Sequence, residues 1–167
     1  MRCGRNPEGY SDPTACIAVS RVTRAERRQR MFEKYIENFD PDAALKAFMH
    51  RHQMTRHDAI QMLRRKIPLE SYYQTNIQAA LKRRYPGAFI AKVAQGAYSQ
   101  GGIPDVLCIL NGHYFGFEVK RPILGEATKL QKKRIADITR AGGTASVVIW
   151  PEECFRIIDA WRQEQEA

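Results

Sequence analysis

Two runs of strand-forming residues joined by Asn111-Gly112 constrain this chain more than any other stretch of it. Residues 105–110 (Asp-Val-Leu-Cys-Ile-Leu) and 113–119 (His-Tyr-Phe-Gly-Phe-Glu-Val) are rich in β-branched and aromatic side chains. Asn-Gly between such runs is the strongest short-range signal for a two-residue type I′ turn. With 111 and 112 as the loop, Leu110 faces His113, and counting back along both strands brings Asp105 opposite Glu118. Facing side chains share a sheet face with Cβ atoms roughly 4.5–5.5 Å apart. The period of two adds Lys120 to that face. Two carboxylates and an ammonium therefore converge at one end of a hairpin.

Such a group suits a hard divalent cation. Mg²⁺ takes oxygen ligands, usually one or two carboxylates with water and substrate phosphate completing the octahedron. A cation held there polarises a phosphoryl oxygen and lowers the pKa of a bound water, and a nearby lysine can offset charge growing on phosphorus. The plainer reading makes Asp105 the start of a turn after Pro104 and leaves Glu118 and Lys120 facing solvent. An isolated E-x-K carries little weight. The combination of G-x-P-D, a hairpin of calculable register and E-x-K favours the site.

These residues resemble the PD-(D/E)xK nuclease superfamily, and within it the virus-type replication–repair nuclease (VRR-Nuc) family. The resemblance runs over roughly residues 70–150. It takes in Gly102-Ile-Pro-Asp105, Phe117-Glu-Val-Lys120, Thr128-Lys-Leu-Gln131, and Ala141-Gly-Gly-Thr144 leading into Val147-Val-Ile149. It implies an α/β fold with a restriction-endonuclease-like αβββαβ core, dependence on a divalent metal, and phosphodiester hydrolysis. Gln131 stands where the family places a site glutamine. Two departures stand out. The carboxylate that members often carry on the first core helix is replaced by Gln74 or Gln78, with Glu70 about one turn earlier as the candidate substitute. The arginine pair that often precedes G-x-P-D is Gln100-Gly101 here.

The expected site follows. Asp105 and Glu118 hold Mg²⁺ or Mn²⁺, with the Val119 carbonyl as a further donor. Lys120 positions the attacking water, Gln131 orients water or phosphate, and Glu70 is a weaker candidate for a second metal or a base. By resemblance the substrate is DNA, branched or junction DNA included, in a phage or repair setting, and a homodimer is compatible with cutting both strands. The rival from another class is a non-catalytic nucleic-acid-binding module on the same fold. The glutamines of the first core helix are its best support.

Charge agrees with a nucleic-acid partner. Of the 27 Lys and Arg, residues 1–67 hold 14 against 8 Asp and Glu, residues 68–142 hold 11 against 5, and residues 143–167 hold 2 against 5. The basic excess thus falls on the N-terminal stretch and the candidate core, where it would attract phosphates in a salt-sensitive way. Lys129, Lys132, Lys133 and Arg134, with Arg64 and Arg65, are the candidate contacts; a solvated helix face is the plain alternative. No apolar run approaches the roughly 20 residues of a membrane span. The N-terminus lacks a continuous apolar segment, so a soluble, cytoplasmic protein is expected. The four cysteines show no C-x-x-C spacing, and Cys108 reads as a small core hydrophobe.

Along the chain, Ser20 is expected to cap a helix running to about Asn38. Asp40-Pro41 opens a second through about His50, and Thr55 a third carrying Ile60, Leu63 and Ile67. The last two, joined at Arg51–Met54, resemble a helix-turn-helix, although a helical hairpin packed on the core is preferred. Pro68 divides this extension (1–67) from the core (68–167). In the core, a helix over Leu69–Arg84 with Leu69 on its apolar side precedes a strand over Ala88–Ala94 and a Gly-rich loop over 95–102. A helix over Gly125–Arg140 with Leu130, Ile135 and Ile138 inward leads to a strand over Thr144–Trp150 and a closing helix from Pro151 to about Arg162.

Overall fold

The structure, a computed structural model, describes residues 23–93 and 101–166. The expected cap at Ser20, the arm before it and most of the Gly-rich loop lie outside the described residues. The elements are α1 (Arg24–Glu37), α2 (Pro41–His52), α3 (Arg56–Lys66), α4 (Glu70–Arg84), β1 (Phe89–Lys92), β2 (Val106–Leu110), β3 (His113–Val119), α5 (Lys129–Arg140), β4 (Thr144–Val148) and α6 (Pro151–Glu166). From α4 to β4 this is the expected αβββαβ order, with α6 added. The sheet runs β1-β2-β3-β4, antiparallel except for β4, which pairs parallel with β3.

The turn sets the register. Asn111 and Gly112 both take positive φ, 50° and 79°, as a type I′ turn requires. Leu110 pairs with His113 and Val106 with Phe117, so the next step places Asp105 opposite Glu118. Alternation then sorts the faces. Val106, Cys108, Leu110, Phe115, Phe117 and Val119 point into one core with Ile77 and Leu81 of α4 and Cys154 and Ile158 of α6. The opposite face carries Asp105, Glu118 and Lys120, and α5 packs over it along β3 and β4.

The extension has its own small core. Asp40 Oδ1 caps α2 by accepting from the Asp42 and Ala43 amides, and Thr55 caps α3. Gln53, at φ 50°, turns one helix into the other. Leu45, Ala59 and Leu63 fill the space between them, joined by Ile123 and Leu124 from the loop after β3. Before α2, Phe39 meets Trp150 edge-on at 4.9 Å. Among the described residues no helix is long and apolar enough to cross a membrane.

Three expectations need correcting. The helix expected from Gly125 begins at Lys129. Pro122 and Ile123, the latter at φ 67°, shape a turn, and Thr128 supplies the N-cap. Leu130, expected inward, is 48% exposed and lies beside Gly101 and Gly102 of the loop before β2. Leu69, expected on the apolar side of the first core helix, is its N-cap and 68% exposed. Strand and helix ends otherwise agree to within four residues, the expected scale of boundary error.

Gly112 has no atom within 4 Å of an added Cβ, so a methyl group there meets only the left-handed backbone. Gly112→Ala should cost about 1 kcal/mol, read as a lower urea midpoint with an unchanged m value.

Candidate active site

The hairpin end, the start of α4 and the start of α5 meet at one point. Glu118 is 0% exposed and Asp105 and Lys120 are each 7% exposed, so the solvent-facing reading of the E-x-K strand does not hold. Burial of three ionisable groups demands partners. Lys120 Nζ donates to Glu118 Oε1 at 2.6 Å, and Gln131 Nε2 donates to the same oxygen. The Val119 amide donates to Asp105 Oδ2 at 3.0 Å. Asp105 is further fixed through its carbonyl, which accepts from the Val93 amide at 2.8 Å.

Gln131 is held at both ends of its amide. Thr128 Oγ1 accepts from the Gln131 backbone while Gln131 Oε1 accepts from the Thr128 backbone at 2.8 Å, a capping box. The side chain thereby closes the N-terminus of α5 and presents its amide hydrogens to Glu118. The T-x-x-Q spacing is a cap signal that the expected start at Gly125 passed over. On the opposite side, the preceding loop approaches α5 closely. Gly102 sits at φ 84°, and an added Cβ would lie 2.9 Å from Leu130 Cγ. Only glycine fits that step of G-x-P-D.

Glu70, in the first turn of α4, places Oε2 3.9 Å from Lys120 Nζ. Gln74 is buried one turn on, and its carbonyl accepts from Gln78 Nε2. Glu70 thus reaches the lysine of the cluster, whereas neither glutamine has a hydrogen bond to it. Arg121 carries no signal in the sequence. Its Nη2 donates to the carbonyls of Ile67 at 2.6 Å and Arg64 at 3.2 Å, partners too distant along the chain to leave any local pattern.

Electrostatics follow from burial. The Glu118 carboxyl is raised above its ordinary value, first by desolvation and further by the charges of Asp105 and Glu70, while the Lys120 hydrogen bond opposes this. Glu70 is raised too, by desolvation first, with Lys120 opposing, Asp105 adding to the rise and Arg121 opposing it.

The donor set suits a hard cation. Glu118 Oε1 is occupied by Lys120 and Gln131, while Oε2 is buried with no hydrogen-bond partner among the described residues. A buried, unpartnered carboxylate oxygen beside a second carboxylate is what a bound Mg²⁺ or Mn²⁺ would satisfy. Among the described residues no three His, Cys, Asp or Glu side chains gather as a metal site. The carboxylates that such an ion would find here are Asp105 and Glu118, with Glu70 on the lysine side.

The basic candidates divide. Lys129, Lys132 and Lys133 are exposed on α5, and Arg64 and Arg65 are exposed in the last turn of α3. Arg134 is half-buried and points Nε at the Gly101 carbonyl, 3.4 Å away.

No protein-family model matches the chain, and no curated protein matches it. Among solved structures, the chain is similar to one described as a VRR_NUC domain, at 26% identity and a TM-score of 0.39, over 52% of this chain and 95% of that one.

The raised carboxyls make a stability prediction for the metal-free protein. Below the ordinary glutamate range both folded and unfolded chains are protonated and nothing is lost. Between the ordinary and raised values the folded state holds more protons, so each step up in pH destabilises it. Thermal stability should therefore fall as pH rises above the ordinary glutamate range. Glu118→Gln, which keeps an oxygen for Lys120 and Gln131, should flatten that fall. A variant tracking wild type through the whole range would show that Glu118 is not the group responsible.

Proposed function

We propose that the chain is a metal-dependent nuclease that hydrolyses phosphodiester bonds in DNA, with Asp105, Glu118 and Lys120 at the centre of its site. The observation that carries this reading is the buried Glu118 carboxylate with one oxygen engaged and the other without a partner among the described residues. A binding module with no chemistry to perform would gain nothing from such a charge. An apolar residue of similar volume is often as stable or more so there. Residues 68–167 would form the catalytic core and residues 1–67 a basic helical extension.

Asp105 and Glu118 Oε2 would hold Mg²⁺ or Mn²⁺. The Val119 carbonyl would be a further donor, since its amide already faces Asp105 and strand N–H and C=O groups of one residue point to the same edge. The ion supplies Lewis-acid activation of the scissile phosphate and of a bound water. Lys120, fixed by Glu118, orients the water that attacks phosphorus and offsets charge growing on the phosphoryl oxygens. Gln131 holds the Glu118 carboxylate in place, and through it the geometry of the centre. Glu70, raised by burial and lying beside Lys120, is placed to accept a proton from water on the lysine side. Lys129, Lys132, Lys133, Arg64 and Arg65 would neutralise backbone phosphates on either side of the site, with Arg134 steadying the loop at Gly101.

DNA cleavage should need Mg²⁺ or Mn²⁺ and stop with a chelator. Asp105→Ala and Glu118→Ala should abolish cleavage while binding in Ca²⁺ persists, because phosphate affinity resides in the surface lysines and arginines. Lys120→Ala should cost rate far more than affinity, with Lys120→Arg restoring little, since the planar guanidinium cannot occupy the ammonium's place. Cleavage at the wild-type rate by a folded Asp105→Ala or Glu118→Ala variant would defeat the assignment.

For the flanking basic residues the measurement is salt dependence. Replacing Lys129, Lys132 and Lys133 by Ala should lower the slope of log affinity against log salt by roughly one for each phosphate no longer neutralised. A parallel plot would return α5 to the role of a solvated face.

A further inference from the structure

We propose that Arg121 is a positioning residue through which the α2–α3 hairpin sets the geometry of the Glu70–Lys120 pair. The proposal rests on the nuclease reading for its kinetic consequences and on the structure alone for the contact itself.

Arg121 follows Lys120 directly, so the two share a backbone segment at the end of β3. One nitrogen of its guanidinium serves both the Ile67 and the Arg64 carbonyl. These belong to the C-terminal turn of α3, where backbone carbonyls lack intrahelical partners and a cation is favoured. Ile67 is the C-cap of α3, and only Pro68 and Leu69 separate it from Glu70. Proline fixes one of the few torsions in that link. Holding the Ile67 carbonyl therefore holds the point from which α4, and Glu70 in its first turn, begins.

The contact continues past the guanidinium. Ile123 and Leu124 pack into the Leu45, Ala59 and Leu63 core of the hairpin. The segment from Lys120 to Leu124 is thus gripped by α2 and α3, with Arg121 on the side of Glu70. The guanidinium is hydrogen-bonded to neutral backbone carbonyls through Nη2. Its charge accordingly remains to act on Glu70, whose carboxyl it pulls down against the effect of burial. A neutral tether could have tied the two segments, but it would not have added that field. The extension is therefore a working part of the site, because Glu70 and Lys120 come from opposite ends of a circuit that Arg121 closes.

The test uses the full chain with four variants: Arg121→Met, Arg121→Lys, Glu70→Gln, and Arg121→Met with Glu70→Gln. The readouts are kcat and KM on DNA in saturating Mg²⁺, thermal stability, and backbone hydrogen exchange over residues 64–73. Arg121→Met should lower kcat by about tenfold or more with little change in KM, and Arg121→Lys should recover part of it. Exchange at the start of α4 should quicken in Arg121→Met. If Arg121 acts through Glu70, the double variant should be no slower than Glu70→Gln, because groups acting as one unit are non-additive. Multiplying losses, a change in KM alone, or unchanged exchange over 64–73 would overturn the proposal. Should Arg121→Met not fold, Arg121→Lys against wild type decides it: an unaltered kcat and unaltered exchange sink it. Should the wild-type chain cut no DNA in any metal, the nuclease reading fails. Exchange in Arg121→Met and Arg121→Lys then still judges the positioning contact.

Discussion

A carboxylate taken fully out of water organises this molecule. The desolvation penalty of a buried ion is several kcal/mol, and it is recovered only by close charge pairing and complete hydrogen bonding. Glu118 meets the first condition through Lys120 and half of the second through Gln131. Each partner arrives on a different element. Lys120 comes from the same strand two residues on, and Gln131 from the capped start of α5. Asp105 comes from the facing strand, its oxygen tied to the Val119 amide. One oxygen of Glu118 has no hydrogen-bond partner among the described residues. That deficit is the property a cation can use, since binding would both satisfy the oxygen and suppress the repulsion between Asp105 and Glu118. On the proposed reading, metal affinity and folding stability would be coupled through the same two side chains.

Both core helices begin at this cluster, α4 with Glu70 and α5 with Gln131. Helix N-termini carry unpaired amides and the positive end of the macrodipole, which favours anionic groups within the first turn. Two such ends reinforce what the buried lysine does. They help a carboxylate-rich site stay ionised and make it hospitable to a phosphate. The thiols of Cys108 and Cys154 illustrate the opposite environment. Both are buried in the other core, and burial pushes the Cys108 thiol up to about 11 and holds Cys154 neutral as well. The same sheet therefore has one face that keeps sulfur uncharged and another that assembles charge.

What was legible in the sequence was local. The type I′ turn needs two residues tolerant of positive φ, and Asn111-Gly112 states that openly, so the Asp105–Glu118 register followed without tertiary information. The burial of Glu118 and Lys120 was not legible, because a strand alternating Glu and Lys reads the same whether water or a helix covers it. The start of α5 was misplaced because residues 125–127 fit the helical period, while the turn at Ile123 is imposed by packing on Leu45 and Leu63. Leu69 and Leu130 matched the apolar period, but Leu69 is the N-cap of α4 and Leu130 lies in the first turn of α5 beside Gly101 and Gly102. Arg121 drew no reading from the sequence. Its partners lie more than fifty residues away, and nothing nearby in the sequence selects them.

The same packing bears on where one unit of this chain ends and another begins. Pro68 separates helical extension from core along the sequence, and the two hydrophobic clusters fall mostly on either side of it. Ile123 and Leu124 break that division, since they belong by sequence to the core and by contact to the extension. Arg121 breaks it again by joining β3 to the end of α3. A chain cut at Pro68 would leave two aliphatic side chains uncovered and a guanidinium without its carbonyls, all within four residues of Lys120. Side-chain packing thus runs across the division expected at Pro68. A basic appendage that merely raised affinity for phosphate would have no reason to place its own core against the loop that follows β3.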